Sequence, residues 1–447
     1  MQAIQDGLDA SAAGSAAMPL SEAFAAALAH YERLAPEALA APEAWPAEVA
    51  APVFVRRWLT PPGAPPTPVI SNVQLLDVDG DRRPELIACD MRHGLVLLGR
   101  AEDRFALRPI ARLSSPSHVW VADLDRDGTR DLLVADLGEF LPRDHDKGAV
   151  VWLRGLGAGR FAPFAIGGLP RVADVRAADV DADGDLDLIV AAFGFRRTGQ
   201  VLLLENRTTD WAQPAFAPRP LDPRPGAIGL EVADLDGDGR ADFVTALAQE
   251  HEQVMAFVNT GGRSFRPEVL YAAPHPNWGS SGLALADLDA DGDIDVLLAN
   301  GDTFDDNLLK PYHGLAWLEN VTAPDGPLRF EHRWLASLPG PHGVRAVDLD
   351  GDGDLDVLAS ALVAGGGGEA DARLPAIVWL EQVAPRRFER RTLILGHPRH
   401  ASLAAGDIDG DGDVDLMVGE MATTGAAEGW VRVLENRTMS RASPPLR

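Results

Sequence analysis

An acidic loop of one design recurs seven times in this 447-residue chain, and that repeat leaves few architectures open. The copies begin at Asp77, Asp123, Asp179, Asp234, Asp287, Asp348 and Asp407, spaced 46 to 61 residues apart. Carboxylates stand at positions one, three, five and nine. The first copy has Asp77, Asp79, Asp81 and Glu85; the second has Asp123, Asp125, Asp127 and Asp131; the third has Asp179, Asp181, Asp183 and Asp187. The fourth has Asp234, Asp236, Asp238 and Asp242, and the fifth Asp287, Asp289, Asp291 and Asp295. Asp348, Asp350, Asp352 and Asp356 form the sixth, and Asp407, Asp409, Asp411 and Asp415 the seventh. Glycine at position six (Gly128, Gly184, Gly239, Gly292, Gly353, Gly412) lets the chain turn sharply around an ion. Hard oxygens at alternating positions that close on a later carboxylate suit Ca²⁺, which takes about 6–8 oxygen ligands at about 2.3–2.6 Å. Up to seven calcium sites are therefore expected. The first is the weakest candidate, because Arg82 replaces the glycine and Pro84 stiffens the turn.

The flanks decide which kind of loop this is. An EF-hand needs a helix on each side and a ligand at position twelve. Here the flanks are short and apolar, such as Val121-Ala122 before and Leu132-Leu133-Val134 after, so each loop joins two strands. A third strand recurs as Trp-Leu-Glu-Asn or a relative, for example Trp317-Leu318-Glu319-Asn320. A fourth is opened by phenylalanine at Phe105, Phe161, Phe216, Phe265, Phe330 and Phe388. Four antiparallel strands in each of seven units predict an all-β, seven-bladed β-propeller. The seventh unit lacks a fourth strand, whereas Phe54 to Leu59 precedes the first loop in phase with Phe330 to Leu335. That segment is expected to complete the last blade and seal the ring. The propeller then spans 53–437, preceded by an Ala/Pro-rich segment 1–52 with a helix predicted over 21–34, and followed by a flexible tail 438–447.

Composition narrows the class of partner. Four carboxylates in each loop account for 28 of the 67 acidic residues, and seven bound Ca²⁺ would reduce the formal charge of −27 to −13. This acidity argues against nucleic acid. Only Lys147 and Lys310 among the 40 basic residues are lysines, the bias of a high-GC bacterial genome. No apolar run is long enough to span a membrane. Residues 1–20 do not read as a secretory signal, yet loops of this kind fill outside the cytosol, which predicts a periplasmic or secreted protein. Cys89 stands alone and reads as a small buried hydrophobe.

The run Val232-Ala233-Asp234-Leu235-Asp236-Gly237-Asp238-Gly239-Arg240-Ala241-Asp242-Phe243 resembles the FG-GAP/VCBS repeats of bacterial secreted proteins and integrin α-chain propellers. The resemblance covers 53–437. It implies a seven-bladed propeller with Ca²⁺ between the first and second strands of each blade. It implies no single function, since such repeats occur in adhesion modules and in enzyme domains.

The remaining chemistry gathers at the end opposite the acidic loops, termed the top face. Nine of the eleven histidines fall there: His93, His145, His251 and His313 before third strands, and His118, His275, His342, His397 and His400 before first strands. Asp90, Asp136, Asn300 and Glu420 end second strands near the channel mouth. Two functions follow. One is a binding module that presents this face to a protein or polysaccharide. The alternative is an enzyme centred on the channel mouth, a lyase or hydrolase on acidic polysaccharide or a transition-metal oxidase. Its candidate residues are His118, His145, Lys147, His313, His342 and His400, with Zn²⁺, Fe²⁺ or Cu²⁺ as a second metal. Polar, histidine-bearing loops without a ligand are the bland alternative to both. Trp58, Trp152, Trp317, Trp334 and Trp379 read as blade packing, Trp278 as a ligand platform, and the Asn206, Asn320 and Asn436 sequons as turn chemistry.

Overall fold

The computed structural model describes residues 44–49, 52–304, 307–323, 326–364, 371–423 and 425–438. The helix predicted over 21–34 and the tail beyond 438 lie outside them. The described chain forms 28 strands in seven four-stranded antiparallel sheets, a seven-bladed propeller. The first blade is Ile70–Leu76, Glu85–Asp90, Leu95–Gly99 and Arg108–Arg112. Its Phe105 lies in the turn before the fourth strand at φ 57, whereas Phe161, Phe216, Phe265 and Phe330 open theirs.

Burial follows strand position. Second strands such as Asp131–Asp136 and Asp295–Asn300 are buried throughout, while fourth strands such as Phe265–Ala272 alternate toward solvent. The apolar core lies between neighbouring blades, as where Leu133, Val150 and Trp152 of the second meet Val175, Leu188 and Leu202 of the third. The last blade consists of Leu403–Gly406, Asp415–Gly419 and Val431–Asn436 with Phe54–Leu59 as its outer strand. Phe54 stands opposite Asn436, the same register in which Phe330 faces Asn320. The approach to this strand is held as well: Trp45 Nε1 donates to Ser337 O at 2.9 Å, and Val49 N to Thr392 O at 3.0 Å.

Trp152, Trp317 and Trp379 are buried third-strand residues, as expected of blade packing. Trp334 departs from that reading at 41% exposure. It sits on an outer strand with its ring over Gly314, where an added Cβ would meet it at 2.4 Å. One ring face packs and the other meets water.

Candidate functional sites

Each acidic loop is a hairpin with two left-handed residues, at positions four and six. Position six has φ between 83° and 100° in the six glycine copies, and Arg82 adopts φ 71 in the first. The first loop thus keeps the common backbone at the expense of strain at Arg82. The position-one carboxylate folds back on this turn, accepting from position six: Gly128 N to Asp123 Oδ2 at 3.0 Å, Gly412 N to Asp407 Oδ2 at 3.1 Å. Local hydrogen bonds therefore build the hairpin from its own side chains.

Position nine does a second job that the sequence reading did not assign to it. Asp242 Oδ2 accepts from Leu235 N at 2.9 Å and its Oδ1 from Asn259 N at 2.6 Å, tying the hairpin to the end of the third strand. Asp131, Asp295, Asp356 and Asp415 repeat the clamp. Burial pushes these carboxyls up, to about 6 for Asp187, Asp242, Asp295 and Asp356 and about 7 for Asp415, against the lowering effect of their hydrogen bonds. Asn206, Asn320 and Asn436 share this junction. Their side-chain amides donate to Leu186 O, Ile294 O and Val414 O, which is turn chemistry on buried side chains.

Carboxylate oxygens converge in the loops. One oxygen each from Asp123, Asp125 and Asp127 lie within 4.8 Å of one another, as do those of Asp77, Asp79 and Glu85, and of Asp234, Asp236 and Asp242. Asp123 Oδ1, Asp179 Oδ1, Asp187 Oδ2 and Asp289 Oδ1 are buried without a hydrogen-bond partner. Orphaned anionic oxygens converging at this spacing fit a hard divalent cation. Arginines partly occupy the same carboxylates: Arg154 on Asp125 at 2.6 Å, Arg386 on Asp289 at 2.6 Å, Arg437 on Asp409 at 2.6 Å, and Arg263 on Asp181. No arginine pairs with the sixth loop among the described residues.

A second charged group lines the central channel, a cavity of about 290 Å³ bordered by first strands. His118 and Asp174 pair at 2.9 Å, and Asp174 also takes Arg176, whose guanidinium lies 4.5 Å over the Trp120 ring. Burial raises the Asp174 carboxyl, but Arg176 and His118 outweigh it and hold the group below the usual range. The Leu230 amide donates to Asp174 Oδ2 at 2.9 Å, so this carboxylate joins three consecutive blades. His342 borders the same cavity with its Nε2 buried and unbonded.

His145, Lys147, His313 and His400 are not among the residues that line this cavity. His400 is buried in a different cavity, its Nδ1 donating to Gly419 O at 3.0 Å. His145 Nδ1 accepts from Lys147 N at 3.1 Å, while Lys147 Nζ pairs with Glu139 in the same loop. His313 is buried beside Tyr312. His93 pairs with Asp90 at 2.7 Å and stacks on Trp430. His118 and His342 thus border the channel cavity, whereas His400 borders another. Trp278 stacks on Tyr312 with ring centroids 4.9 Å apart, so one face of the expected platform is already covered.

No helix among the described residues is long and apolar enough to cross a membrane. Comparison with curated proteins finds no significant sequence match. Among solved structures, BBS1N in complex with ARL6DN is similar at 12% identity and TM-score 0.50, covering 85% of this chain and 96% of that one. Virginiamycin B lyase from Staphylococcus aureus is similar at 10% identity and TM-score 0.50, covering 85% and 99%. Likeness at this identity speaks to the fold alone. A family model described as an FG-GAP-like repeat matches residues 77–134 and 234–298. With four-stranded blades around all seven hairpins, the chain is a seven-bladed β-propeller that carries FG-GAP-like repeats.

Proposed function

We propose that this protein is a calcium-stabilised, extracytoplasmic binding module that presents its top face to a protein or polysaccharide. The observation that carries the calcium part is the convergence of loop carboxylates with buried, unpartnered oxygens at Asp123, Asp179, Asp187 and Asp289. The top face is supported by Phe140, Leu141, Phe304 and Leu308, large apolar side chains exposed at 36–55% in two long loops. Elemental analysis after dialysis against calcium is expected to find several Ca²⁺ per chain. Chelation is expected to lower the unfolding temperature by about 10 °C or more, the scale at which linkage to several sites operates. An unchanged melting curve after exhaustive chelation sinks the calcium reading. For the face, binding to a panel of immobilised proteins and polysaccharides should weaken on Phe304→Ser and persist on changes to the acidic hairpins in calcium.

A further inference from the structure

The seventh blade breaks the repeat at one core position. Registered against the second strand, Arg432 occupies the place held by Leu97, Val151, Leu202, Met255, Ala316 and Val378 in the other blades. All six are apolar and at most 4% exposed. A guanidinium at a position that otherwise fills the core needs a local reason, because burying a charge without a partner is costly.

That reason is a cavity of about 340 Å³ found where the closing strand meets the last blade. Its wall includes Arg432, Arg399, Glu420, His400 and Trp58. Arg432 lies 4.9 Å over the Trp58 ring, and its guanidinium makes no hydrogen bond or ion pair among the described residues. Arg399 reaches Glu420 only at 3.9 Å. The Glu420 carboxylate, on a residue 6% exposed, has no polar partner among the described residues closer than this pair and His400 Nδ1 at 3.7 Å. The equivalent acids of two other blades are fully used: Asp136 accepts from Ser114 N, Ser115 N and Gly138 N, and Asp90 from Arg92 N and His93. The neighbouring Arg56 is likewise engaged, by Glu48 at 3.1 Å and Leu393 O at 2.9 Å. Two arginines and one acid with hydrogen-bonding capacity to spare therefore face a common space.

We propose that this cavity binds a small hydroxy-carboxylate, its carboxylate held by Arg399 and Arg432 and its hydroxyl by Glu420. Guanidinium forks match a carboxylate in charge and planarity, and the acid supplies the partner for an adjacent hydroxyl. Trp58, whose indole N–H is taken by Glu428 at 2.8 Å, closes one side with its ring. The site stands apart from the calcium hairpins, so chelation and the variants below report on different things.

The test is titration of the full chain, in calcium, with D-glycerate, propionate and glycerol, followed by calorimetry or ligand-observed NMR. Glycerate is expected to bind, and glycerol, which carries a hydroxymethyl group in place of the carboxylate, to bind at least about tenfold more weakly. Arg432→Leu restores the residue type of the other blades and should fold normally while losing about tenfold in glycerate affinity. Arg399→Gln, outside the strands of the blade, should do the same and guards against a packing effect in the first variant. Glycerate binding no tighter than glycerol, or unchanged in both variants, overturns the proposal. Propionate binding as tightly as glycerate would remove Glu420 from the site and overturn the hydroxyl assignment.

Discussion

Arg82 and Gly282 show what single residues contribute to a repeat this regular. Arg82 holds φ 71 where the other six hairpins place glycine. A left-handed L-residue costs roughly 1–2 kcal/mol and glycine loses about 0.5–1 kcal/mol more chain entropy, so Arg82→Gly should stabilise by up to about 1 kcal/mol. Urea denaturation measures this, and a loss of stability would mean that Arg82 makes contacts that outweigh its strain. Gly282 marks the opposite case. A Cβ there would meet His342 O of the next blade at 1.8 Å. Gly282→Ala is expected to destabilise by about 1–3 kcal/mol, as overpacking against backbone does. Nothing around Gly282 in the chain announces this, because the clash is with a residue sixty positions away.

At the scale of the element, calcium binding as proposed would couple the hairpin's protons to its ion. Asp187, Asp242, Asp295, Asp356 and Asp415 have folded-state values raised to about 6 or 7 by burial, above their ordinary 3.8. A raised acid binds more protons folded than unfolded. Its stabilisation is therefore complete below about pH 4 and is lost as pH climbs toward 7. Calcium-free protein should thus melt at falling temperature between pH 4 and pH 7. Added calcium should reverse the trend over that window by binding the ionised form. Thermal scans across this range with and without chelator measure both slopes, and parallel slopes would contradict the coupling. The alternating acids were legible in the sequence, since they are local. The clamp from position nine to the third strand was not, because the Asn259 amide that completes it arrives only when the blade pairs.

Across the whole molecule, the ring is stitched as well as packed. Ser71 Oγ donates to Pro116 O at 3.2 Å, Ser117 Oγ to Val172 O at 3.0 Å and Ser281 Oγ to Pro341 O at 2.7 Å, each reaching the next blade. The Val73 amide donates to Ser402 Oγ at 3.1 Å across the closure of the ring. The outer strand Phe54–Leu59 completes that blade and keeps Val431–Asn436 from being an open edge. A chain starting at Pro61 should be less stable than one starting at Pro52 by more than about 3 kcal/mol, and should associate. Size-exclusion chromatography with thermal unfolding checks this, and equal behaviour of the two chains would show the strand to be dispensable.

By itself the sequence determined the number of blades, the four-strand unit and the acidic hairpins, because each is written in local periodicity and repeated until chance is excluded. Tertiary structure alone decided which side chains meet. It separated His118 from His400 although both precede or enter first strands, joined Asp174 to His118, and set Arg432 beside Arg399 and Glu420. Those encounters depend on the rotation between blades, which brings distant segments together at angles that no repeat pattern along the chain encodes.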